Sequence, residues 1–264
     1  MVSVCSLIVF GGLGFIVCLD LTKLLIRRKD KRPFLSRISL QTKIVFMVTA
    51  ILILAGILGV FIFENNYTLS AMPAKEKFLS CLFTSITPRT AGFNVLETGA
   101  LMPTTLFMII ILMFIGASPG STGGGIKTVT LGILLAALYS MFYNKDRVDL
   151  FGKTIPRRTF RNAILIIFLS FGLVMLSAFL LSITENADAK SANYFLSILF
   201  ESTSAFGTVG LSTGITPRLT SLGKLIIIIT MFIGRVGPLT LAVAVAMRKE
   251  KADYSYPEEN LAIG

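Results

Sequence analysis

The sequence predicts an all-α membrane protein built from repeated units of helix, short re-entrant helix, Gly-centred loop and returning helix. Three observations predict it. Hydrophobic residues make up 54% of the chain and its mean hydropathy is +0.80, more apolar surface than a soluble domain can bury. Three uncharged runs, Ile44–Phe63, Thr98–Ile126 and Asn162–Thr184, match the roughly 20 residues a helix needs to cross a bilayer, and they lack the strict alternation of barrel strands. The chain also repeats itself. Met113-Phe114-Ile115-Gly116 returns 118 residues later as Met231-Phe232-Ile233-Gly234, and at the same offset Thr90-Ala91-Gly92-Phe93-Asn94 falls on Thr208-Val209-Gly210-Leu211-Ser212.

The elements follow in order. Residues 1–25 are apolar and read as the second helix of a preceding unit, because Phe10-Gly11-Gly12-Leu13-Gly14 resembles both Ile115-Gly116-Ala117-Ser118-Pro119 and Ile233-Gly234-Arg235-Val236-Gly237. Residues 26–43 form a basic linker. Residues 44–142 make the first complete unit, with an outward helix over Ile44–Phe63 and a short helix over Glu76–Thr87 that is too short to span and stops at Pro88. Its returning segment, 101–142, exceeds one straight crossing and is broken by Gly116–Gly125. Residues 143–158 are a second basic linker. Residues 159–247 form the final unit, with a short helix over Asn193–Ala205, a loop over Gly207–Gly214 and a returning helix over Leu222–Met247. Residues 248–264 form a polar tail.

The net charge of +11 is a topology signal. Seventeen of the 25 Lys and Arg fall in the two linkers, at their edges (Lys23 and Arg161) or in the tail, six fall in the opposite segments, and Lys127 and Arg235 lie inside the spans. The positive-inside rule therefore places the linkers and the C-terminus in the cytoplasm and argues against nucleic-acid binding. The chain has no His, which removes imidazole chemistry and His metal sites. Cys5, Cys18 and Cys81 stand in apolar sequence without ligand spacing.

Two kinds of segment carry chemistry. Irregular backbone inside a membrane persists only where it lines water or is buried in protein. Two Gly-centred loops, each after a short helix, suit a cation filter in which backbone carbonyls replace the hydration shell. Glycine supplies the positive φ this requires, the helix C-terminus adds negative potential, and Thr90 and Thr208 add hydroxyl oxygens. The other segment, Gly116 to Lys127, contains Gly and Pro at a density that no straight helix tolerates. It predicts an unwound loop below the filter that acts as a gate, with Lys127 following it. Arg235, at the repeat position of Ala117, is predicted to hydrogen-bond the broken segment's carbonyls; pairing with Glu201 is the structural alternative. Gly120–Gly125 also comes close to a phosphate loop, but Ile126 intervenes before Lys127 and no strand precedes it.

These residues resemble the Ktr/Trk/HKT superfamily of potassium transporters, most closely the bacterial Ktr membrane subunit, over essentially the whole chain. The motifs are Thr-Ala-Gly-Phe-Asn at 90–94, Gly-Ala-Ser-Pro-Gly-Ser-Thr-Gly-Gly-Gly-Ile-Lys-Thr at 116–128, and Phe-Gly-Thr-Val-Gly-Leu-Ser-Thr-Gly at 206–214. The resemblance implies a potassium-channel-like fold of four repeats around one K⁺ path. Thr90, Ala91, Gly92, Phe93, Asn94, Thr208, Val209, Gly210, Leu211 and Ser212 would form the filter. Gly116, Ser118, Gly120, Ser121, Thr122, Gly123, Gly124, Gly125, Lys127 and Arg235 would form the gate. K⁺ is the implied substrate and Na⁺ a candidate activating ion, with no covalently bound cofactor and no enzymatic activity. The implied setting is the plasma membrane, in contact with lipid, as a homodimer on a cytoplasmic nucleotide-binding regulatory ring. Only two complete repeats and the end of a preceding one are present, so a fragment, a misassigned start or a split gene product is expected, with further N-terminal repeats needed for a full pore. The alternatives are a non-transporting truncated or structural membrane subunit and, third, a membrane P-loop ATPase.

Overall fold

The structure, a computed structural model, describes residues 1–26, 38–144, 147–185, 193–237 and Thr240. Most of the first basic linker, the tail 248–264 and, apart from Thr240, the predicted helix beyond Gly237 lie outside the described residues.

The described residues are mostly helical. α1 (Val2–Ile26) bends at Gly14, where φ is 76° and ψ 157°. α2 (Leu40–Glu64) begins at Ser39, whose hydroxyl accepts the Thr42 N–H at 3.2 Å, a side-chain N-cap. Asp20 of α1 accepts both the Ser39 hydroxyl and the Thr42 hydroxyl, the latter at 2.6 Å, which ties the end of α1 to the start of α2. α3 (Ala74–Ile86) starts two residues before the predicted position because Pro73, already extended at φ −65° and ψ 153°, serves as its N-cap. α4 (Pro103–Phe114) and α5 (Thr128–Phe142) are separate helices joined by an irregular segment.

The second linker carries an element that the sequence pattern did not predict, a hairpin of β1 (Asp149–Leu150) and β2 (Lys153–Thr154), closed by Phe151 at φ 48° and Gly152 at φ 73°. Positive φ at both central residues matches the twist of an antiparallel pair. α6 (Arg157–Thr184), α7 (Tyr194–Gly207) and α8 (Ser221–Val236) complete the fold. α7 runs to Gly207 rather than stopping at Ala205, and Thr208 caps it in the left-handed region.

α2 packs on α3, and α7 packs against α4, α6 and α8. The main core joins these helices through Ile109, Met113, Leu181, Ile198, Phe200 and Phe206, all nearly or fully inaccessible. Phe114 and Phe206 stack with ring centroids 5.9 Å apart. The outward faces are as apolar as the core. Leu7, Ile62 and Phe168 are 71%, 69% and 74% exposed, a surface suited to hydrocarbon rather than water. Among the described residues, three helices, spanning Val2–Leu24, Leu40–Glu64 and Arg157–Thr184, are long and apolar enough to cross a membrane.

Candidate functional site

The two Gly-centred loops share one backbone pattern. Thr90 and Gly92 have φ of 69° and 74°; Thr208 and Gly210, 118 residues further on, have 52° and 89°. A β-branched residue in the left-handed region costs about 1–2 kcal/mol, so something nearby must offset it twice. Each loop is held by a matching pair of bonds. The Ala91 N–H donates to Thr87 O at 3.1 Å, and the Val209 N–H to Ser204 O at 2.9 Å. The Thr87 hydroxyl donates to Phe93 O, and the Ser204 hydroxyl to Leu211 O at 2.6 Å. Among the described residues, no donor reaches the carbonyls of Thr90, Ala91, Gly92, Thr208, Val209 or Gly210. The two loops also touch: a Cβ on Gly92 would lie 2.7 Å from Val209 O and 3.5 Å from the Gly210 Cα.

The broken segment between α4 and α5 closes on itself and sits against both loops. The Ile126 N–H donates to Phe114 O at 3.0 Å, and Ile115 and Ile126 form a parallel bridge, so the ends of the break meet. The Gly124 N–H donates to the Thr208 hydroxyl at 2.9 Å. A Cβ on Gly123 would lie 2.9 Å from the Thr90 hydroxyl, and one on Gly124 would lie 2.9 Å from that of Thr208. The segment therefore reaches both left-handed threonines, and only residues without a side chain fit there. On its other side it is fastened to the bend of α1. The Ser118 N–H and hydroxyl both donate to Gly12 O, at 3.0 and 2.8 Å, the hydroxyl also reaches Leu13 O, and the Phe15 N–H donates to Gly120 O at 3.2 Å. Ser118 is fully buried, whereas Gly120 and Thr122 face outward.

The cations are arranged differently from the sequence expectation. Lys127 Nζ bonds the Gly123 carbonyl, a short local reach along its own segment. Arg235 is exposed and makes no hydrogen bond to the broken segment among the described residues. Its charge instead repels that of Lys127. Glu201 does not pair with Arg235 either. It accepts the Ser212 hydroxyl at 2.6 Å, the Thr213 N–H at 3.0 Å and the Thr216 hydroxyl at 2.8 Å, bracing the second loop from behind. Phe93 and Asn94 are exposed.

A scan against protein-family models matches residues 1–255 to the TrkH cation transport protein model. The chain belongs to the TrkH cation transport family. Among curated relatives, the potassium/sodium uptake protein NtpJ of Enterococcus hirae is 40% identical over 99% of this chain and 56% of its own length. The Ktr system potassium uptake protein B of Bacillus subtilis is 38% identical over 98% of this chain and 55% of its own. The chain thus spans about half the length of the curated relatives it matches. The crystal structure of the potassium transporter TrkH from Vibrio parahaemolyticus superposes with a TM-score of 0.70 at 15% identity, covering 92% of this chain and 51% of that one, and shares its fold.

Within this TrkH-family fold, three functional candidates carry no signal that residue spacing reveals. Glu64 at the end of α2 accepts the Met102 N–H at 2.9 Å, and Glu185 after α6 accepts the Thr220 N–H at 3.0 Å. Met102 and Thr220 cap α4 and α8 and are themselves 118 residues apart. The two carboxylates are not, because the stretches that follow them, from Glu64 to Thr90 and from Glu185 to Thr208, differ in length. The acceptor reaches the same place in space from an unequal sequence position, and a fixed-offset comparison misses it. Arg89, beside Thr90, is buried with Nε and Nη1 unpartnered among the described residues. Its setting in Thr-Pro-Arg-Thr reads in the sequence as an ordinary loop.

Proposed function

We propose that this chain forms part of a path for potassium uptake across the plasma membrane. The observation that carries the reading is the pair of touching loops, each presenting three consecutive carbonyls without a donor. Within a membrane, carbonyls left without a donor need another polar partner, and a dehydrated cation satisfies several at once. In this reading the ligands are the carbonyls of Thr90, Ala91 and Gly92 and of Thr208, Val209 and Gly210. Phe93, Asn94, Leu211 and Ser212 support them, since the Phe93 and Leu211 carbonyls already accept hydroxyls and the Ser212 hydroxyl is held by Glu201. The C-terminal ends of α3 and α7 lead into the loops and favour positive charge there.

The segment from Gly116 to Lys127 is the gate. With Gly123 and Gly124 seated on Thr90 and Thr208, an ion leaving the filter meets packed backbone, and the segment has to move before it passes. Lys127 and Arg235 add a positive electrostatic barrier beside it. The family and the names of the relatives support K⁺, with Na⁺ as a co-substrate or activating ion. On the family resemblance, the complete assembly contains further repeats, dimerises, has a cytoplasmic C-terminus and sits on a nucleotide-binding regulatory ring.

The test is K⁺ uptake in cells lacking their own uptake systems, with the chain expressed alone and together with the N-terminal half of a Ktr relative. Saturable K⁺ uptake in either arrangement, abolished by Gly92→Val, supports the reading. Correctly inserted protein that gives no flux in both would identify a non-transporting membrane subunit.

A further inference from the structure

The end of α5, the hairpin and the start of α6 line an open cleft of about 830 Å³ to which no filter-loop residue contributes. Four arginines are among the residues that line it, Arg147, Arg157, Arg158 and Arg161. Three of them occupy the opening turns of α6. That is the end of a helix where the backbone dipole disfavours cations, and the first turn has no acidic residue to compensate. Pro156, the N-cap, offers no side-chain acceptor, and the first amides bonded back to its carbonyl are those of Thr159 and Phe160. The N–H groups of Arg157 and Arg158 are therefore open donors among the described residues. Local rules are broken here in a consistent direction: cations and amide donors converge where an anion is required.

The rest of the lining defines the anion. Met141 and Phe160 give the cleft an apolar wall, and most of its lining surface is apolar. α6 is among the helices long enough to span a membrane, so its first turn lies at an interface. Tyr139 and Tyr143, with ring centroids 4.6 Å apart, mark headgroup depth at the end of α5. Lys43 lies 5.7 Å over the Phe151 ring and holds the hairpin against α2. We propose that this cleft binds the phosphate of an anionic phospholipid from the adjoining leaflet, with its acyl chain along the apolar wall. The inference rests on the membrane reading of α6 but not on the filter or the gate.

The test uses the full chain in neutral detergent, with thermal unfolding followed during separate titrations of phosphatidylglycerol, phosphatidylcholine and inorganic phosphate. Phosphatidylglycerol should raise the Tm saturably, and the other two should not. R157Q/R158Q/R161Q should raise its half-saturating concentration about tenfold or more, as expected for lost charge-assisted contacts. K75Q/K77Q, at the start of α3, should leave it unchanged. R157K/R158K/R161K keeps the charge that orients the helix but loses the planar fork, and should fall severalfold short of the native chain. Equal stabilisation by phosphatidylcholine or by inorganic phosphate would overturn the proposal. So would an unchanged half-saturation in the lysine variant, which would reduce the arginines to a topology signal. Occupation of the cleft by an acidic protein, and not by the lipid, would overturn it as well. Uptake assays do not enter, so this test can fail while the transport reading stands.

Discussion

Replacing Thr208 with Val isolates the contact between the broken segment and the second loop. Valine keeps the β-branched shape and tolerates φ of 52° about as poorly as threonine, so backbone strain is nearly constant. What disappears is the acceptor for the Gly124 N–H, now bonded at 2.9 Å. Leaving that N–H without a partner in a packed setting costs about 1–2 kcal/mol. The cost falls only on the closed arrangement, because a displaced segment has no bond there to lose. The closed-to-open ratio should therefore drop by roughly 5- to 30-fold. In a transport-competent assembly, initial K⁺ uptake at matched surface expression should rise by a factor in that range, provided the gate is mostly closed at rest. Thr90→Val should do less, since Thr90 meets Gly123 through packing and no hydrogen bond joins them. A fall in uptake for Thr208→Val, with the Thr90 variant falling in parallel, would refute the latch and make the hydroxyls ion ligands instead.

Gly210→Ser should lower the K⁺ over Na⁺ preference, because a side chain at φ 89° is strained and would shift the carbonyls on either side; competition of Na⁺ with K⁺ uptake measures it. Deleting Ser118–Gly124 should raise basal flux and lose the response to Thr208→Val, since both act on the same barrier. Arg235→Ala should also raise flux while leaving selectivity unchanged, by removing a positive charge that acts on Lys127 rather than by breaking a hydrogen bond; Arg235→Lys should then behave like the native chain, and a rise with Lys would contradict the charge argument. Glu64→Gln and Glu185→Gln should each lower the apparent Tm by a few degrees, at about 1 kcal/mol per weakened bond to the N-terminus of α4 or α8, without altering ion preference.

The sequence by itself determined where the chain is apolar, where it must break and which positions correspond. Each of these depends on local chemistry. An uncharged run of helical length declares itself, a cluster of Gly and Pro cannot remain helical, and a Gly that must take positive φ recurs at the same offset as its neighbours. Thr90 and Gly92 match Thr208 and Gly210 in φ because short-range backbone sterics were repeated along with the residues. Which groups meet was decided only by the tertiary structure. Glu64 and Glu185 cap corresponding helices from non-corresponding positions, Glu201 turns to the second loop rather than to Arg235, and Lys127 rather than Arg235 takes a carbonyl of the broken segment. The Phe93 and Leu211 carbonyls are spoken for by hydroxyls six and seven residues back, while their neighbours are left open. Hydrogen bonds act over about 3 Å, so their partners depend on how whole helices pack. Residue type and spacing constrain that packing without fixing the last few ångströms, and in this protein those few ångströms decide which carbonyls remain free.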